Sequence, residues 1–312
     1  TTGCQNVALG TCALKLNVDG NKNISIGKDS MEANSGGDQN TAVGHSALNA
    51  NLGDNNTAVG YFSLFKNTSG TENTAVGLMA MCKTTTSENN VSIGNYSMKD
   101  ATTGNDNVAV GYCSLKDNTT GCRNIAVGRC SLHASDTGVG NTAVGFKAMA
   151  VLQGDGNDNT AVGCGALCSV STGDGNVAMG YAAGNAVTTG GDNTILGRDA
   201  GRSSSPFEVT TESNRIVLGN NSVTNFYAKV ALTVTSDLRD KTNFGEVPHG
   251  LDFVNKLNPV SFQFRKSRED DTPHGAMHYG FKAQDILALE GSDNVIIDDE
   301  QPDRLKYKGE HL

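Results

Sequence analysis

NTAVGHSALNANLGDNNTAVGYFSLFKNTSGTENTAVG, residues 40–77, holds one five-residue string three times, ending at Gly44, Gly60 and Gly77. Outward from it, variants of the string end at Gly10 and Gly27 on one side. On the other they end at Gly94, Gly111, Gly128, Gly145, Gly163, Gly180 and Gly197. Twelve copies at intervals of 16 to 18 residues, nearly always 17, are a repeat architecture. Each begins with Asn, continues through a β-branched residue, Ala or Ser and an aliphatic residue, and stops at Gly, which reads as a short strand. Four residues past the glycine a second apolar position recurs, as in Leu14, Met31, Leu48, Leu64, Met81 and Met98, each preceded by Ala or Ser.

A 17-residue unit this rich in Gly and Asn is too short for paired helices and too poor in helix formers. Stacked coils of parallel β-strands fit, because each coil covers the small apolar sites of the next. Twelve coils at the strand spacing make a rod of about 55 Å. The asparagines from Asn6 to Asn193 would stack at one corner and satisfy neighbouring backbone groups. So thin a coil has a small core per chain, and a closed trimer would bury the remaining apolar stripe.

Composition agrees. The 312 residues include 38 Gly, 5 Pro and no Trp, with 5% aromatic residues, which argues against one thick globular core. Glycine is too sparse for collagen. A net charge of −9 without a basic tract disfavours nucleic acid as a partner. No apolar run is long enough to span a bilayer, and the first residues lack a signal-peptide pattern. Eight cysteines spread between positions 4 and 168 read as reduced thiols. Cys12, Cys113 and Cys130 sit two residues after a motif glycine, as substitutions in the repeat. Cys164 and Cys168 have the spacing of a metal pair but no second pair or histidine partner, so neither metal nor cofactor is expected. The scattered aromatic residues make no evident stacking platform for a sugar.

The repeat decays at Gly184 and Gly201, and GRSSSPF at 201–207 marks a boundary. FEVT at 207–210, RIVLG at 215–219 and FYAKVALTVTS at 226–236 alternate like strands of a connector. From 236 the chain becomes more charged and aromatic. HGLDFVNKLNP reads as a helix with Leu251, Val254 and Leu257 on one face, ended by Pro259. VSFQF at 260–264 reads as a strand, and HYGFKAQDILAL at 278–289 leads into a helix with Ile286 and Leu289 on its face. His249, His274, His278 and His311 read as surface or loop residues, although His274 and His278 have helix-like spacing.

SDLRDK, LNPVSFQF, YGFKAQDI and LKYKGEHL, in this order over about 232–312, resemble the C-terminal intramolecular chaperone domain of phage tail fibres, endosialidase tailspikes and neck appendages, the S74 peptidases. The repeats over 1–201 resemble trimeric adhesin heads and the stacked-coil shafts of viral fibres. The resemblance implies a mainly β protein, with a trimeric parallel β-solenoid or β-roll shaft (1–201), a β connector (202–235) and a small α+β chaperone domain (236–312). The family's serine and lysine map onto Ser236 and Lys241, with the scissile bond at Thr235–Ser236. Serine needs a base, and lysine serves as one only where burial or a nearby cation lowers its proton affinity. Arg239 is the local cation. Asp237 would orient an amine or cap the turn, and Gln284 would hydrogen-bond near the dyad or brace the backbone. The family runs on past KYKGEHL into a long helix outside these 312 residues, so an uncleaved precursor and an inactive member both stay open. The implied partners are two further copies of the chain, a phage tail or baseplate through a preceding region, and a host-surface receptor, in a virion assembled in the host cytoplasm. The alternatives are a non-cleaving receptor-binding shaft and a trimeric surface adhesin.

Overall fold

A computed structural model describes residues 2–307 apart from 153, 155, 204, 206, 228–249, 266–270, 292–295 and 299–304. Thirteen three-residue strands, β1 (Val7–Leu9) through β13 (Ile216–Leu218), form one parallel sheet in strict sequence order. Adjacent copies of the repeat pair in register. Ala42 lies beside Ala58, Ala58 beside Ala75, and Val43 beside Val59. From β2 onward the middle residue of each strand is buried, and Ala42, Ala58, Ala75, Ala109, Ala126, Ala143, Ala161 and Ala178 are fully so. Leu48, Leu64, Met81, Met98, Leu115, Leu132, Met149 and Leu167 fill the facing wall, also fully buried. Small against large leaves a solenoid one side chain thick.

The first eleven strands each stop at a glycine with φ between +133 and +139, a backbone that side-chain-bearing residues rarely adopt. Gly111 has φ +136, and a Cβ there would sit 2.5 Å from the carbonyl oxygen of Gly128 in the next coil. The coils thus approach through bare backbone.

The motif asparagines form the expected ladder. Asn40 Oδ1 accepts the backbone N–H of Asn56 at 2.8 Å, while Asn40 Nδ2 donates to Gly53 O at 2.9 Å. This repeats up the stack, to Asn193 Oδ1 accepting from Arg215 N. A second interior ladder has no counterpart in the sequence reading. Asn34, Asn51, Asn67 and Asn118 are fully buried and donate Nδ2 to a glycine carbonyl two or three residues on. In later coils the same place is taken by Leu152, Val170 and Val187, which join the apolar core.

The decay at Gly184 and Gly201 is a volume exchange. The strand residue that is Ala in most coils becomes Ile195, whose Cδ1 lies 3.0 Å from where a Gly184 Cβ would be and 3.2 Å from that of Gly201. The side chain therefore enters from the strand instead of the facing wall. β13 adds to the same sheet after a 22-residue step from Thr194 to Ile216, and the compact unit runs to Asn220. FEVT at 207–210 is not a strand. Phe207 and Val209 are buried against the last coils, and Val209 N donates to Gly201 O at 3.0 Å. Phe226 and Tyr227 are not in a strand either, and residues 228–236 lie outside the described residues.

The second unit, Asn221–Leu312, contains the one-turn helix α1 (Leu251–Val254), the antiparallel hairpin β14 (Val260–Arg265) with β15 (Pro273–Gly280), helix α2 (Ala283–Glu290), and the short pair β16 (Ile297–Asp298) with β17 (Lys306–Tyr307). Its core is Ile286, Ile296 and Ile297, flanked by Phe253, Leu257, Phe281, Ala283, Leu287 and Leu305.

Candidate functional site

Ser236, Asp237, Arg239 and Lys241, together with the Thr235–Ser236 bond, lie outside the described residues. What is described is the scaffold that follows them in the chain. α1 is shorter than its sequence pattern, and its inward face differs from the expected one. Leu251 and Val254 are 74% and 55% exposed, while Phe253 and Leu257 pack on the core. A four-residue helix has no second turn, so the 3.6-residue stripe drawn from Leu251 to Leu257 does not apply.

β14 falls where VSFQF is, extended by Arg265. His274 and His278 are not on a helix. They lie on β15, where His278 pairs with Phe262 and His274 with Phe264 across an irregular register. His278 stacks on Phe262 with centroids 5.7 Å apart and meets Phe264 at 5.2 Å. The imidazole is thus part of an aromatic cluster on the hairpin. His249 and His311 lie outside the described residues.

α2 begins after Lys282, with Asp285 in its first turn, where the helix dipole favours a negative charge. Ile286 is 1% exposed and anchors the helix. Leu289 is 36% exposed, and Leu287 makes the second core contact instead. Gln284 is exposed on the first turn. The residue the sequence reading passed over is Glu290. It is buried at the last turn of α2, where its two carboxylate oxygens accept the backbone N–H groups of Ile296 (2.6 Å) and Ile297 (3.0 Å). One carboxylate thereby ties the helix end to the start of β16, a bidentate charge-assisted contact. A buried glutamate six residues before an Ile-Ile pair is a weak sequence signal, since only the folded backbone aims the two N–H groups at it.

Residues 236–295 match the Peptidase_S74 family, chaperone of endosialidase. The match begins at Ser236 and takes in α1, the β14–β15 hairpin and α2. The chain thus carries a chaperone-of-endosialidase domain behind a parallel β-solenoid. No curated protein and no solved structure matches the chain.

All eight cysteines are free thiols. Burial pushes the Cys82 and Cys113 thiols above the usual range. Cys164 is exposed and Cys168 half-buried. A different group converges in the first coils, where ligand atoms of Cys12, Asp29 and Glu32 lie within 4.8 Å of one another. Lysines already occupy this cluster, since Lys15 Nζ is 3.3 Å from Glu32 and Lys28 Nζ 3.6 Å from Asp29. Among the described residues no helix is long and apolar enough to cross a membrane.

Proposed function

We propose that the chain is a homotrimeric fibre or appendage component of a bacteriophage virion, whose C-terminal domain promotes assembly and then severs the chain between Thr235 and Ser236. The observation that carries this reading is the order of parts, a solenoid shaft followed by an S74 domain whose match starts at Ser236. Trimerisation is supported by the outward face of the sheet. The third residue of every strand is aliphatic, and Leu9 (65%), Met179 (50%), Leu218 (48%) and Ile93 (41%) are exposed in the single chain. An aliphatic stripe of that length is the kind of surface that closed homo-oligomers bury.

In the proposed reaction Ser236 Oγ adds to the Thr235 carbonyl carbon while Lys241 Nζ takes the hydroxyl proton. Lys241 returns that proton to the Ser236 nitrogen as the C–N bond breaks, leaving the Thr235 acyl group on Oγ as an ester. Water then hydrolyses the ester to a Thr235 carboxylate and a free Ser236 amine. Arg239 would hold Lys241 neutral by charge repulsion, Asp237 would orient the ammonium or cap the turn, and Gln284 would brace the backbone. Each chain turns over once, and the trimeric shaft remains for attachment to a tail and a host surface.

Intact mass measurement of the purified chain beside Ser236→Ala and Lys241→Ala tests this. The expected result is a 1–235 product that is absent from both variants, with a trimeric mass retained in all three. Processing that persists in Ser236→Ala removes the proposed nucleophile, and a monomeric shaft removes the trimer.

A further inference from the structure

Aromatic residues that are scattered in the sequence line up in the fold. The residue just past each motif glycine occupies one longitudinal row, held by a backbone bond from the following residue to the row member below. Cys130 N donates to Tyr112 O (2.9 Å), Lys147 N to Arg129 O (3.0 Å), Gly165 N to Phe146 O (2.9 Å) and Asp199 N to Tyr181 O (2.8 Å). From the seventh coil the row reads Tyr112, Arg129, Phe146, Cys164, Tyr181 and Arg198. Tyr112, Phe146 and Tyr181 are 48%, 43% and 54% exposed, so rings that are scattered in the sequence share one exposed row.

The cations are placed against these rings. The Arg129 guanidinium lies 5.7 Å from the Tyr112 centroid and 5.8 Å from that of Phe146, and Lys147 Nζ lies 5.5 Å from Phe146. Neither Arg129 nor Lys147 has a carboxylate partner among the described residues, whereas Arg198 is paired with Asp199 at 3.3 Å. A chain of net charge −9 thus keeps Arg129 without a carboxylate partner between two exposed rings, and Lys147 likewise beside one of them. A guanidinium set beside aromatic rings still has its N–H donors to offer a bidentate carboxylate.

We propose that this row binds a linear acidic polysaccharide in which neutral and uronate sugars alternate. Ring faces recur every second coil, about 9–10 Å apart at the strand spacing, close to the advance of two pyranose units in an extended glycan. The apolar C–H face of a neutral sugar would pack on Tyr112 and on Phe146, with the intervening uronate carboxylate on Arg129. An open row of several coils suits a polymer better than a single sugar. The inference stands on the shaft alone and is independent of cleavage or subunit number.

Calorimetric titration of the full chain with hyaluronan and unsulfated chondroitin octasaccharides tests it, with N-acetylchitohexaose as the neutral comparison. Both acidic octasaccharides are expected to bind and the neutral one to bind far more weakly. Arg129→Gln and Phe146→Ala should each lower affinity by about tenfold or more. Lys83→Ala, which removes a cation paired with Asp100 elsewhere on the coil, should leave binding unchanged. Matching melting curves would show that the shaft is intact. No binding of either acidic octasaccharide at millimolar concentration would overturn the proposal. So would equal binding of the neutral one, or affinity that survives both Arg129→Gln and Phe146→Ala.

Discussion

Asn90→Ala removes a side chain whose Oδ1 accepts the Asn107 backbone N–H (2.9 Å) and whose Nδ2 donates to Gly104 O (3.0 Å). Both backbone groups are buried, and neither has another partner among the described residues, because the inner position of that coil is Ala101 rather than Asn. Leaving a buried group unpaired costs about 1–3 kcal/mol, so the substitution should cost roughly 2–6 kcal/mol. Asn107→Ala is the informative partner. It strands only Asn124 N (2.9 Å), since Gly121 O keeps its bond from Asn118 Nδ2 (3.0 Å), and should cost about half as much, roughly 1–3 kcal/mol. Asn105→Ala, which frees the exposed Glu88 N–H to water, should fall within about 0.5 kcal/mol. A repeat array need not unfold all-or-none, so the assay is amide hydrogen exchange of the full chain, followed by mass spectrometry over 88–125. In Asn90→Ala, exchange there should rise by roughly thirty-fold to twenty-thousand-fold. Asn107→Ala costing as much as Asn90→Ala, or both behaving like Asn105→Ala, would refute the ladder reasoning.

Gly111→Ala should destabilise the shaft by more than about 2 kcal/mol, from φ +136 and a 2.5 Å approach to the next coil's backbone, whereas Gly165→Ala, at φ +66 with open space around it, should cost only the about 1–2 kcal/mol of a left-handed backbone in a thermal melt. A thiol-labelling time course read by mass spectrometry should modify exposed Cys4 and Cys164 first. Cys82 and Cys113 should react last, because burial raises their thiol pKa and depletes the thiolate, and raising the pH should speed the two of them.

In the second unit the strand at 260–264 and the helix around Ile286 were legible because each is long enough to show its own period. α1 was misread because four residues cannot display one. The histidines His274 and His278 look helical at a spacing of four, and only the hairpin register shows that they sit among phenylalanines. The candidate dyad was legible solely as a family segment, since a serine and a lysine five residues apart carry no period and no burial pattern.

The 17-residue spacing by itself determined the parallel in-register stack, the strand ends at glycine and the outer asparagine ladder, because a stack repeats whatever one coil needs. Tertiary structure alone decided how a coil closes. Leu48, Leu64 and Met81 adopt φ of 49°, 46° and 51°, a region ordinarily left to glycine or asparagine. That conformation turns the Leu48 N–H along the stack to Ser63 O at 3.0 Å while its side chain fills the core. A cost of about 1–2 kcal/mol per residue is offset by that bond and by burial worth about 1.5–3 kcal/mol. Local propensity does not anticipate the choice, because both compensations come from the neighbouring coil. The same holds for Ile195 filling the space above Gly184, and for Tyr112, Arg129 and Phe146, 17 residues apart in the chain and in contact only once the coils are stacked.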